Sequence, residues 1–89
     1  MSRIRIPPTL RTETEGEREV EARGGTVREL LDDLMGRFLA LRGQLLAQDE
    51  LAPFVNVYVE GEDVRTKEGL ETRVDDGSTV ILLPALAGG

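Results

Sequence analysis

The sequence predicts an α+β fold in which one amphipathic helix lies across one face of a mixed sheet. Three observations carry that prediction. Val27, Leu30, Leu31, Leu34 and Met35 recur at helical spacing and form the clearest apolar stripe in the chain. Before it, alternating segments around Ile4 and Ile6 and around Val20 and Ala22 read as two strands joined by a polar link. After it come a valine-rich strand and a nearly continuous apolar run near the C-terminus.

The elements follow in order. Ile4 and Ile6 alternate with Arg3 and Arg5, the period-two pattern of a half-buried strand, and Pro7-Pro8 ends it because proline brings no N–H. Thr12 to Glu17 reads as a turn containing Gly16, and Arg18 to Ala22 resumes the alternation with Val20 and Ala22 on one face. Gly24-Gly25 breaks the hairpin. Thr26 and Glu29 then have capping-box spacing, in which the hydroxyl accepts from the N3 amide while the glutamate reaches back. Gly36 is the expected stop. Phe38 to Leu46, interrupted by Gly43, is apolar at roughly helical spacing and predicts a second short helix. Phe54 to Val59 is the best strand, with three valines on one face. Glu60 to Asp63 turns the chain, Val64-Arg65 starts a short return strand, and Leu70 to Val74 is irregular. Asp75-Asp76-Gly77-Ser78 is a turn signal, and Thr79 to Leu83 suits a well-covered strand. With the N-terminal hairpin and the last strand at the sheet centre, this order is that of the β-grasp, or ubiquitin-like, architecture.

Composition narrows the function. At 89 residues the chain fits one small domain, expected over 1–83, followed by a flexible Gly-Gly tail over 84–89. Net charge is −6, with 17 acidic against 11 basic residues, which argues against nucleic-acid or anionic-membrane partners and favours a protein partner with a basic surface. No apolar run reaches membrane-spanning length and the start is not a signal-peptide block, so a cytoplasmic protein is expected. Cysteine and histidine are both absent. That removes the thiol nucleophile, the neutral-pH imidazole base and the usual zinc ligands, so self-contained catalysis is not expected.

Two internal features invite chemistry and fail on context. The carboxylates Asp32-Asp33, Glu60-Glu62-Asp63 and Asp75-Asp76 lack ligand spacing and read as solvated surface charge. Gly24-Gly25 precedes a helix, but no lysine or third glycine completes a phosphate-binding fingerprint, so it reads as loop and cap. Pro7 and Leu83 are the apolar residues that parity sends outward, as docking contacts on the open sheet face.

The tail is the more informative end. Gly88-Gly89 offers a narrow cleft bare backbone, and Ala85 and Ala87 are small, leaving Leu86 as the side chain that gives grip. Fully extended, 84–89 reaches up to roughly 20 Å. What the end presents is the Gly89 α-carboxylate.

Three stretches resemble the ubiquitin-like sulfur carriers, which include the molybdopterin synthase small subunit, the thiamine-pathway carrier and the actinobacterial carrier of cysteine biosynthesis. They are Ile6 to Arg11, Phe54 to Val59 with Gly61 to Arg65, and Leu83 to Gly89. The first two are most similar to the cysteine-type carrier, as is the helical insertion from Phe38 to Ala47. The resemblance implies a protein co-substrate and not an enzyme. It implies that an E1-like adenylyltransferase/sulfurtransferase, using its own ATP and Mg, adenylates Gly89. Sulfur then displaces AMP to leave a thiocarboxylate. Gly88, Ala87 and Leu86 would thread the partner's cleft, with Leu83 and Pro7 as docking contacts. No cofactor is bound by the carrier itself. The implied acceptor is a pyridoxal-phosphate-dependent, cysteine-synthase-like enzyme, followed by a metalloprotease that restores the Gly-Gly end. Two alternatives stay open on the same fold: a ubiquitin-like modifier joined to target lysines, and a molybdopterin synthase small subunit. A third reading is an adaptor with an inert tail.

Overall fold

The computed structural model describes residues 1–84. Strand β1 (Ser2–Arg5) turns Ser2 and Ile4 inward, and β2 (Glu19–Ala22) pairs antiparallel to it with Ile4 opposite Val20. The link between them is more ordered than its polar composition suggested. A 3-10 segment spans Pro8–Thr14, and the buried Thr14 hydroxyl lies within donating distance of the Arg11 and Glu17 carbonyls of its own loop (3.3 and 3.1 Å). Helix α1 (Val27–Arg37) buries all five residues of the predicted stripe.

The cap forms with one change of partner. Thr26 Oγ1 accepts from the Glu29 N–H (3.2 Å), but Glu29 Oε1 accepts from the N–H of Gly25, one residue before the cap (2.7 Å). Gly24 makes the close approach possible: a Cβ there would lie 2.6 Å from Glu29 Cβ and 2.8 Å from Leu30 N. The helix also passes Gly36 and ends at Arg37, with the Phe38 N–H donating to Leu34 O (3.0 Å). Arg37 secures that extra residue by reaching the Glu21 carbonyl (2.5 Å) and Asp33 (3.4 Å).

The predicted second helix is short and split. A 3-10 turn (Leu39–Leu41) runs into one helical turn, α2 (Arg42–Leu45), burying Leu41 and Leu45 and leaving Leu39 outside. An unexpected miniature hairpin follows, β3 (Leu46–Ala47) with β4 (Glu50–Leu51). Its turn residues Gln48 and Asp49 both have positive φ (53° and 65°), a conformation normally signalled by glycine, so the sequence carries no obvious mark of it.

Strand β5 (Val55–Val59) buries Val55 and Val57. The return strand β6 is Glu62–Asp63, earlier than expected, because Glu60 and Gly61 (φ 50° and 84°) complete the turn in two residues. Val64-Arg65, expected to start that strand, instead opens a 3-10 turn (Val64–Thr66) capped by Asp63 accepting from the Arg65 N–H (2.9 Å). The segment expected to be irregular contains another 3-10 turn, Gly69–Glu71. Strand β7 is Thr79–Pro84.

The sheet order β2-β1-β7-β5-β6 is the expected β-grasp arrangement, with β1 and β7 parallel and their other neighbours antiparallel. β7 is central, but β2 lies at an edge and not beside it at the centre. Ile4, Val20, Val57, Val80 and Leu82 face Leu30, Leu31, Leu34 and Met35 of α1 in one core. Burying each of these aliphatic side chains contributes about 1.5–3 kcal/mol. The opposite face of the sheet carries Arg3, Arg5, Ile81, Leu83, Asn56 and Tyr58.

Candidate functional site: the exit end of the last strand

Strand parity decides how β7 leaves the sheet. The Arg3 N–H donates to Ser78 O (2.9 Å) and the Glu60 N–H to Thr79 O (3.1 Å), so even-numbered β7 residues turn their backbone groups toward β1 and odd-numbered ones toward β5. The β5 ladder continues to Val55 opposite Pro84, whereas the β1 ladder stops at Arg5 opposite Ile81. In that register the next donor to β1's side of β7, at the Leu82 carbonyl, would be the N–H of residue 7. Residue 7 is proline and has none. The chain instead turns away at Pro7, which precedes the Pro8–Thr14 segment with extended φ and ψ (−69° and 154°).

That turn corrects one expectation. Pro7 is buried, not outward: alternation holds through Ile6 and breaks at Pro7, which folds inward beside it. Pro7 nevertheless lines two grooves at the end of β7. One, of about 120 Å³, is also bounded by Leu10, Phe54, Leu82, Leu83 and Pro84. The other, of about 280 Å³, has Arg5, Pro8, Arg11, Ile81 and Leu83 along its walls. Leu83 belongs to both and is 44% exposed, in keeping with its expected outward position. Pro84, taken from the sequence as the first residue of the tail, is the last residue of β7. Leu86, Ala87, Gly88 and Gly89 lie outside the described residues.

The exit end also holds residues that the sequence reading passed over. Phe54 is 49% exposed beside Leu83 in the smaller groove. Parity contained that signal, since Val55 and Val57 point inward and so send Phe54 and Asn56 outward. Arg11 Nε donates to the Ile6 carbonyl (3.1 Å). Arg65 donates to Asn56 Oδ1 (2.6 Å) and to the Ala52 carbonyl (2.7 Å), and Asn56 is the β5 partner of Leu83. These contacts span five to thirteen residues at no regular spacing, so they leave no periodic signal.

Most of the acidic residues that lack ligand spacing have structural partners. Asp33 accepts from the Arg23 N–H (2.8 Å), Glu60 from the Thr79 N–H (2.9 Å), and Asp63 caps its turn. Asp76 pairs with the Met1 amine, whose hydrogen bond and charge hold its carboxyl below the ordinary range. Among the described residues no group of three His, Cys, Asp or Glu side chains is arranged for a metal. Among the same residues no helix is long and apolar enough to cross a membrane. Gly24-Gly25 is no anion cradle, because the Glu29 carboxylate already occupies the Gly25 N–H. Among the described residues the end of β7 therefore presents apolar and basic surface, with no cysteine or histidine side chain.

Comparison with known proteins gives a consistent family of relatives. A family model described as the ThiS family matches residues 4–89. The sulfur carrier protein CysO of Mycobacterium tuberculosis H37Rv is 39% identical over 89 residues, covering 97% of this chain and 96% of that protein. Small archaeal modifier protein 3 of Haloferax volcanii is 38% identical over 64 residues, covering 72% of this chain and 70% of its own. Among solved structures, the Amycolatopsis orientalis BexX/CysO complex contains a chain that superposes with a TM-score of 0.94 at 47% identity, with full coverage of both chains.

Proposed function

The chain belongs to the ThiS family of ubiquitin-like sulfur carriers, a family of carriers and not of enzymes, and from that premise we propose that it delivers sulfur as a thiocarboxylate on Gly89. The observation that carries this reading is the family match running through residue 89, which takes in the Gly-Gly end. The absence of cysteine and histidine fits it, since a carrier needs no reactive side chain and an activated acyl group meets no internal thiol.

The chemistry begins with a poor electrophile: a C-terminal carboxylate, with a reference pKa of about 3.5, is ionised at neutral pH. An E1-like partner, with its own ATP and Mg, would join the Gly89 carboxylate to AMP and release pyrophosphate. Sulfide then attacks the acyl carbon and expels AMP; a persulfide on a partner would instead give an acyl disulfide, from which a second partner thiol frees the thiocarboxylate by forming a disulfide with the first. A carboxylate oxygen leaves with AMP and sulfur takes its place. Gly88, Ala87 and Leu86 thread the cleft, while Leu83 and the groove behind it bear on the partner's surface. Similarity to CysO supports cysteine biosynthesis as the destination, through a pyridoxal-phosphate-dependent acceptor enzyme and a metalloprotease that regenerates the carrier.

Intact-protein mass spectrometry tests the reading. Incubation with the activating enzyme, ATP and sulfide should exchange one oxygen for sulfur at Gly89, and no exchange would count against it. Gly88→Val should abolish that exchange while leaving the thermal midpoint nearly unchanged. A second reading, a protein modifier, is favoured by the similarity to small archaeal modifier protein 3. It predicts a ladder of higher-mass conjugates in cell extracts. Lys67, the only lysine, lies 3.3 Å from Glu62 and leaves little scope for self-conjugated chains.

A further inference from the structure

Charge on this acidic chain is unevenly satisfied. Arg28 is hydrogen-bonded to Glu71 (2.6 Å) and Arg37 to Asp33 (3.4 Å), so both guanidiniums are neutralised locally. Arg11 and Arg65 are held just as firmly, but by neutral acceptors: the Ile6 carbonyl for Arg11, and Asn56 Oδ1 with the Ala52 carbonyl for Arg65. Among the described residues no carboxylate lies within ion-pair distance of either. Positioned guanidiniums without a counter-charge are pre-ordered to meet one from outside.

Their placement is specific. Arg11 lines the larger groove together with Leu83, and Arg65 is fastened to Asn56, the β5 partner of that same leucine. Leu83 is thus an exposed apolar step with one unneutralised arginine reached from each side. Arg5 adds a third, only loosely opposed by Glu19 at 4.0 Å. The start of β7 is the reverse, with Asp75, Asp76, Glu60 and Glu62 around it. A net charge of −6 hides a strand whose exit end is basic.

We propose that Arg11 and Arg65 receive an acidic segment of the partner protein that takes the tail, with an apolar side chain of that segment seated on Leu83 and its carboxylates against the two guanidiniums. The assignment rests on the carrier reading for the identity of the partner as the activating enzyme. Charges of this kind, at the rim of an interface, govern encounter and salt dependence more than the chemical step.

Two experiments separate the ideas. In the loading reaction, the double variant Arg11→Gln/Arg65→Gln should raise the KM for the carrier about tenfold with kcat unchanged, and should lose most of the salt dependence that wild type shows. Arg28→Gln, at an already paired arginine, should leave KM unaltered. If wild type loads and the double variant loads with the same KM and salt dependence, the acidic-segment proposal falls while the carrier reading stands. If wild type does not load, the carrier reading falls, and the surface is judged by binding alone. For that, the ¹⁵N-labelled protein is titrated with the peptide acetyl-Asp-Leu-Asp-Glu-amide. The Arg11 and Arg65 Nε–H and Leu83 amide signals should shift, and should not with the Asn/Gln analogue. Absence of shifts with the acidic peptide, or equal shifts with its neutral analogue, would overturn the proposal.

Discussion

At its start β7 is fastened from several directions, and at its end the same strand has a neighbour on one side only. The Gly77 N–H donates to Met1 O (2.8 Å), the Arg3 N–H to Ser78 O (2.9 Å), and the Thr79 N–H to Glu60 Oε1 (2.9 Å). Past Ile81 the β1 ladder ends, and two prolines, Pro7 and Pro84, stand where its next amides would be. Val80 and Leu82 face the core throughout, so the strand remains anchored through its inner face while Leu83 is left outside. The comparison teaches that side-chain burial and ladder pairing are separable. Burial of the inner face holds the strand in the molecule where the ladder on one side has already ended.

Adjacent leucines give the sharpest contrast. Leu82→Ala should cost about 2–5 kcal/mol in urea unfolding, because a fully buried leucine is replaced by a cavity, and Leu83→Ala should cost under about 1 kcal/mol. Equal costs would mean that the exit end is part of the core. At the fastened end, Gly77 holds φ at 82° with open space around it, so Gly77→Ala should cost about 1 kcal/mol from backbone strain alone. At the released end, Pro7→Ala supplies the missing N–H. Stability should change by less than about 1 kcal/mol, while the new amide at position 7 shows slowed hydrogen exchange through the Leu82 carbonyl. An unprotected amide would show that the ladder stops for another reason.

The smallest effect belongs to the acidic end. The Asp76 carboxyl titrates below its ordinary value because the Met1 amine donates to it and opposes its protonation. A lowered folded-state pKa means that its contribution to stability is present above the unfolded-state value and is lost as pH falls through the folded one. NMR titration should place the Asp76 midpoint below that of a free aspartate, and acetylating the Met1 amine should move it upward. At full exposure the consequence for stability is minor.

Much of this was readable from local pattern. The α1 stripe, the Thr26 cap, the inward faces of β1, β2 and β5 and the outward position of Leu83 all follow from spacing, because each depends on neighbours within a few residues. The misreadings share a cause. Pro7 was assigned by extending a parity that its own ring terminates. Glycine at position 36 signals a stop, but Arg37 reaches Glu21 on another element and the helix runs one residue further. The β3–β4 hairpin turns through Gln48 and Asp49 without the glycine that would announce it.

The same division applies to the site. Periodicity and composition were enough to specify a helix-on-sheet domain, to exclude a thiol nucleophile and an imidazole base through the missing cysteine and histidine, and to direct attention to the Gly-Gly end. Register and long-range contact lay beyond them. That the β1 ladder stops opposite Ile81, that Pro7 is buried beside the end of β7, and that Arg11 and Arg65 are held near Leu83 are consequences of which distant segments meet. Pairing free energies between strands separated by dozens of residues decide that, and no local window of the sequence records them.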